Sequence, residues 1–185
     1  YSLDEEGNLI WIFQTSAPIR NSSPCCYGNH LYFGSRDSCL YKLNAENGTL
    51  TWKFRTGDMI GSSPTTDRNA IYFGSHDGKL YAVSLNGRML WNIPTGAGFL
   101  GSSPLVESDM IYFGSWDTHF YAVSLKSRSV MWKFQTGMGF PSANPYTQKI
   151  FNEHPRRILP QRAEAGKNKY GEQVLVNLEQ AGYSA

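Results

Sequence analysis

The chain has 185 residues, 41% hydrophobic and 14% aromatic, with a formal net charge of +2. That length can bury one or two modest cores, while the charge is too weak to argue for nucleic acid or an anionic membrane as partner. Residues 1–145 hold 11 Lys and Arg against 11 Asp and Glu, residues 146–185 hold 6 against 4, and no apolar run is long enough to form a transmembrane helix.

In chain order, Tyr1-Ser2-Leu3 followed by Trp11 aligns with Tyr81-Ala82-Val83 followed by Trp91, so the chain is expected to open on the third strand of a repeating unit. Full units follow at 16–56, 57–96 and 97–136, and another starts at 137 and fades by 145. Trp11, Trp52, Trp91 and Trp132 recur at steps of 41, 39 and 41. Pro24, Pro64 and Pro104 each close a Ser-Ser-Pro, and Tyr32-Phe33-Gly34-Ser35 returns at Tyr72 and Tyr112, with Asp37, Asp77 and Asp117 two residues further on. A period of this length marks a repeat architecture.

Within the unit 97–136, segments 102–106, 110–115, 119–125 and 130–135 read as strands. Their β-branched and aromatic residues suit strands, and the small polar residues at 116–118 and 126–128 suit turns. The tail, 146–185, leaves the pattern. Residues 152–162 read as loop, with two prolines and a basic cluster. Residues 164–181 allow a helix, with Tyr170, Val174, Leu178 and Ala181 on one face, and the tail is open to three readings: a cover for the open blade face, a disordered segment, or non-native sequence past a frameshift.

Strands such as Tyr121-Ala122-Val123 are apolar throughout, which fits a sheet covered on both faces. Four-stranded antiparallel sheets repeating every forty residues or so describe an all-β protein, a β-propeller. Each Trp is then expected to fill the wedge between neighbouring blades, and each recurring Asp to cap its hairpin by accepting backbone N–H bonds. Half a blade plus three blades cannot close a ring of about 4–8 blades. The expectation is a piece of a larger propeller, or a truncated gene product, whose open blade faces invite self-association.

The pattern Tyr-Phe-Gly-Ser-x-Asp-x-x-x-Tyr, then Gly-x-x-x-Trp-Lys-Phe-x-Thr-Gly (clearest at residues 48–57), resembles the pyrroloquinoline-quinone-type propeller repeat over residues 1 to 145. WD40 repeats are set aside, because the dipeptide Trp116-Asp117 is replaced by Arg36-Asp37 and His76-Asp77 in the other units. The resemblance implies a non-catalytic module that binds or scaffolds proteins. Family members of that kind include a lipoprotein of bacterial outer-membrane assembly and a propeller appended to acyl-activating enzymes. It carries a second implication, a fragment of a quinone-dependent alcohol or sugar dehydrogenase with pyrroloquinoline quinone and calcium. In those enzymes an adjacent-cysteine disulfide packs on the quinone, which makes Cys25 and Cys26 cofactor-binding candidates. No catalytic residue or calcium ligand of the dehydrogenases can be matched here, and no cofactor is expected under the first reading. The compartment follows the context: periplasm or cell envelope in a bacterium, cytoplasm in an acyl-activating enzyme.

From the residues alone, adjacent cysteines also suit a half-buried strand, and with Cys39 they make three, too few for a disulfide framework. Gly96-Ala97-Gly98-Phe99-Leu100-Gly101 has dinucleotide-type glycine spacing but precedes a strand, so no helix N-terminus is available for a pyrophosphate. His30, His76, His119 and His154 lack metal-type spacing. Asn21-Ser22-Ser23 and Asn47-Gly48-Thr49 match the glycosylation sequon. The units differ most after Tyr-Phe-Gly-Ser, at Arg36, His76 and Trp116, and in the loops before Ser-Ser-Pro, at Arg20, Met59, Phe99 and Phe140. Arginine, methionine and aromatic residues on exposed loops are what a protein-contact surface favours, so these seven are the candidate contact residues.

Overall fold

The computed structural model describes residues 1–98 and 102–136, and the backbone of two short strands further on. The chain divides into two compact units, Tyr1–Phe140 and Pro141–Ala185.

The first unit is half a blade followed by three blades of a β-propeller. The half-blade pairs β1 (Ser2–Leu3) with β2 (Leu9–Trp11). The first full blade is the meander β3 (Cys25–Tyr27), β4 (His30–Gly34), β5 (Cys39–Asn44) and β6 (Leu50–Arg55). The second is β7 (Thr65–Thr66), β8 (Ala70–Ser75), β9 (Lys79–Ser84) and β10 (Met89–Pro94). The third is β11 (Leu105–Glu107), β12 (Met110–Gly114), β13 (His119–Ser124) and β14 (Ser129–Gln135). All pairings are antiparallel. The innermost strand of the third blade starts at Leu105, later than the residue pattern suggests. Ser102 Oγ instead accepts the Gly114 N–H at 3.0 Å, and Pro104 has no N–H to give a ladder.

Alternate residues of the middle strands serve opposite faces, as the two-residue strand period requires. Ile71, Phe73, Tyr81 and Val83 pack with Tyr32 and Leu40 of the preceding blade. Ala70, Tyr72, Leu80 and Ala82 pack with Ile111, Phe113, Tyr121 and Val123 of the next. A third cluster joins Trp11 and Phe13 to Phe33, Tyr41 and Leu43. The core therefore lies between blades rather than within one.

A one-residue slip precedes each of the four recurring tryptophans. Trp52 faces Lys42 but Leu50 faces Leu43, leaving Thr51 extra, and Ile10, Leu90 and Met131 are extra in the same way. Such a bulge re-aims the side chains that follow it. Trp52 is thereby turned to the next blade, where its Nε1 donates to Leu85 O at 3.1 Å, and Trp11 Nε1 donates to Ala45 O at 3.1 Å. The receiving turn carries a glycine in the left-handed region, Gly48 at φ +70° or Gly87 at φ +82°. A Cβ there would lie 2.5 Å from Trp11 Cε3 or 2.9 Å from Trp52 Cδ2.

The recurring aspartates tie neighbouring segments together. Asp37 Oδ2 accepts the Tyr41 hydroxyl at 2.6 Å and the Ser16 N–H at 3.1 Å, while Oδ1 accepts the Cys39 N–H at 3.1 Å. Asp77 Oδ2 accepts from Tyr81 at 2.6 Å and Gly57 N–H at 2.9 Å. Asp117 accepts from Tyr121, from Gly96 N–H at 2.9 Å and from His119 N–H at 3.1 Å. Each carboxylate thus joins the third strand of its own blade to the segment arriving from the blade before. Burial, then the bond to Asp77 and its charge, push the Tyr81 hydroxyl well above its ordinary pKa.

In the second unit β15 (Glu164–Lys167) pairs antiparallel with β16 (Gln173–Val176). This corrects the helix reading of 164–181 at the positions described. Gly166 and Gly171 weaken a helix by roughly 1 kcal/mol each, and Val174 and Val176 favour extended backbone. Among the described residues there is no helix, and none long and apolar enough to cross a membrane.

Replacing Asp77 by alanine strands the buried Tyr81 hydroxyl and the Gly57 N–H. The expected loss in urea-unfolding free energy is about 2–4 kcal/mol, with Asp77→Asn, which keeps one acceptor, losing less than half as much.

Candidate functional site

The turn between the second and third strands of each blade stands against the loop arriving from the blade before, through one repeated backbone bond. Arg36 N–H donates to Pro18 O at 3.2 Å, His76 N–H to Met59 O at 2.9 Å and Trp116 N–H to Gly98 O at 3.2 Å. The residue after Tyr-Phe-Gly-Ser is therefore delivered to the same rim in every blade.

Four of the seven candidate contact residues are linked along that rim. Arg36 is exposed, and its Nε donates to Met59 Sδ at 3.2 Å on the next blade's loop. Met59 lies against His76 through the backbone bond, and the His76 ring is 6.2 Å from the Trp116 ring, tilted at 59°. Trp116 is 40% exposed. Gly98 lets the last loop come close, since a Cβ there would sit 2.7 Å from His76 O. Arg20 is exposed on the loop that contains Pro18, whose carbonyl accepts the Arg36 N–H. Phe99 and Phe140 lie outside the described residues.

His76 is the electrostatically unusual member. Burial lowers its pKa below the ordinary 6.5 and the Arg36 charge lowers it further, against the opposing pull of Asp58. Its Nε2 is buried with no hydrogen-bond partner.

The four tryptophans divide by what they meet. Trp11, Trp52 and Trp91 pack against the blade that follows each of them, whereas Trp132 is 48% exposed. Cys25 and Cys26 occupy successive positions of β3, the innermost strand, and both are free thiols. Cys25 Sγ lies 3.9 Å from Thr66 Oγ1 of the next blade, and Cys26 is exposed. Cys39 is buried, its thiol pKa raised by burial and by Asp37. Among the described residues no three His, Cys, Asp or Glu side chains gather as a metal site. The Gly96–Gly98 stretch is an inter-blade loop leading to β11, as its context in the sequence requires.

One buried cation escaped the sequence pattern. Lys42 stands where the other units have Ala82 and Ala122. Its Nζ donates to Leu85 O at 3.0 Å, the carbonyl that Trp52 also uses, and lies 5.6 Å from the Tyr32 ring centroid and 6.0 Å from that of Trp52. The break in an alanine column was the only signal available.

A family model described as outer membrane protein assembly factor BamB matches residues 1–100 and 59–151. The chain belongs to the BamB family of quinoprotein-like repeats. The crystal structure of BamB from Moraxella catarrhalis has the same fold, with a TM-score of 0.61 at 15% identity. The likeness covers 71% of this chain and 45% of that one, so this BamB-family chain spans less than half of the solved propeller. No curated protein matches the chain.

The depressed His76 pKa has a definite sign. As pH falls through 6.5 the unfolded chain takes up a proton before the folded chain does, so stability held above that pH is lost on acidification. Between about pH 7 and pH 5, His76→Gln is expected to flatten the fall in melting temperature measured for the unsubstituted chain. His30, also depressed by burial and by Lys42, supplies the slope that remains.

Proposed function

We propose that these blades form part of a non-catalytic propeller that binds a protein partner along the rim of Arg36, Met59, His76 and Trp116. The observation that carries this reading is the coincidence of two properties in one strip. It is where the units disagree most in side-chain chemistry, and it is where one backbone bond holds each unit in the same place. Aromatic residues, methionine and arginine are enriched in interface cores, and tryptophan and arginine lead among energetic hot spots. The same binding role applies to a free-standing propeller and to one appended to an acyl-activating enzyme.

A dehydrogenase fragment would need Cys25 and Cys26 joined as a disulfide beneath a quinone. Titration of the chain with pyrroloquinoline quinone and calcium separates the two readings. No spectral change is expected, and saturable binding of both would replace the scaffold reading by the enzymatic one.

Partner capture tests the rim directly. The double variant Arg36→Ala, Trp116→Ala is expected to lose binding by roughly tenfold or more, while Arg68→Ala, on an exposed turn away from the strip, keeps it. Undiminished capture by the double variant, or equal loss with Arg68→Ala, would overturn the assignment.

A further inference from the structure

The two hairpin turns that receive Trp11 and Trp52 carry the same dipeptide, Asn47-Gly48 and Asn86-Gly87. In both, the asparagine is exposed and the glycine has a positive φ, +70° and +82°. In both, the glycine N–H donates to a carbonyl at the start of the turn, Gly48 to Asn44 O at 3.0 Å and Gly87 to Ser84 O at 2.9 Å. The asparagine side chains are held differently. Asn47 Oδ1 accepts the Thr49 N–H at 3.0 Å and the Thr49 hydroxyl at 2.7 Å. The second turn has Arg88 where the first has Thr49, so the hydroxyl donor is missing. The Arg88 N–H is committed to Ser84 Oγ at 3.1 Å. Among the described residues nothing bonds the Asn86 carboxamide.

We infer that Asn86 is a site of spontaneous deamidation, with water as the reagent, and that its conversion unfastens the joint between the first and second full blades. The Gly87 nitrogen, once it has lost its proton, attacks Asn86 Cγ. The new N–C bond closes a five-membered imide, and the Cγ–Nδ2 bond breaks as ammonia leaves, carrying the proton that the nitrogen lost. Water then opens the imide at either carbonyl, giving aspartate or isoaspartate. Glycine admits this attack because no Cβ crowds the approach to its nitrogen. The carboxamide must also turn its Cγ onto that nitrogen. Asn86 does so without breaking a side-chain bond, whereas Asn47 must first leave both Thr49 donors. Isoaspartate changes the turn most, because the main chain then runs through the former side chain and gains one carbon between Leu85 and Gly87. Those two residues are the anchors of Trp52. Leu85 O accepts its Nε1 at 3.1 Å, and Gly87 lies under its ring. Lys42 Nζ holds the same carbonyl at 3.0 Å. A turn lengthened between the two anchors cannot keep both in register with the indole. The inference stands independently of the rim reading.

The test is peptide mapping by mass spectrometry of the full chain aged in mildly alkaline buffer, with isoaspartyl methyltransferase to mark isoaspartate. Asn86 is expected to convert roughly tenfold faster than Asn47, the effect of two hydrogen bonds on one carboxamide. In the chain unfolded by urea the two rates converge. Thr49→Val, which removes one donor, raises the Asn47 rate roughly fivefold. The aged chain loses about 2–4 °C in melting temperature, while Asn86→Gln, whose longer side chain closes a ring far more slowly, keeps its own on ageing. Equal rates in the folded chain, Asn47 ahead of Asn86, no conversion at either, or a difference that persists in urea overturns the site. An equal fall in melting temperature for the aged Asn86→Gln chain overturns the link to the joint.

Discussion

Every blade here is a sheet with apolar side chains on both faces, and a four-stranded sheet of that kind has no stable existence alone. Tyr72 and Leu80 point one way, Phe73 and Val83 the other, and each set is buried only because another blade covers it. Burying one such side chain stabilises by about 1.5–3 kcal/mol. The ion pair between the partly exposed Lys79 and Asp77, at 4.0 Å, belongs to a class that contributes about 0–1 kcal/mol. Stacking therefore dominates, and stability grows roughly with the number of joints, as in other repeat proteins.

Apolar stacking is non-directional, so something else must set how one blade meets the next. Two devices do this. The bulge before Trp11 and before Trp52 turns the indole out of its own sheet and onto the next blade's hairpin, where a carbonyl and a left-handed glycine fix its depth. The aspartate fastens the other side. Burial raises the pKa of Asp117, but the bonds from Tyr121, Gly96, His119 and Ser115 outweigh it, and the net direction is down. A buried carboxylate without those donors would be costly. With them it is a three-way tie whose geometry admits one arrangement of neighbouring blades.

Much of this was legible in the sequence because repetition separates what the fold needs from what it tolerates. The period gave the blades, the unbroken apolar strands gave two covered faces, and the tryptophans gave the joints. The bulges were not legible, since an extra residue before Trp52 shows only in the partner strand's register. Lys42 was hidden because its acceptor lies on another blade, forty-three residues away. The hairpin at Glu164–Lys167 and Gln173–Val176 was mistaken for helix because Val174, Leu178 and Ala181 fit helical spacing over a stretch with no repeat to check it against. Arg36 and Met59 were each singled out as variable, but their contact depends on adjacent blades stacking in one particular rotation.

The rim and the joints follow opposite rules for the same physical reason. At the joints the side chain is the bond: change Asp77 or Trp52, and two blades lose a point of attachment. At the rim the bond is made by the backbone, from His76 N–H to Met59 O and its counterparts, so the side chain adds nothing the fold requires. Arginine, histidine and tryptophan can follow one another there without disturbing the stacking beneath. A propeller built this way keeps a rigid framework and a freely variable edge, and chemistry at that edge is answerable only to what meets it from outside.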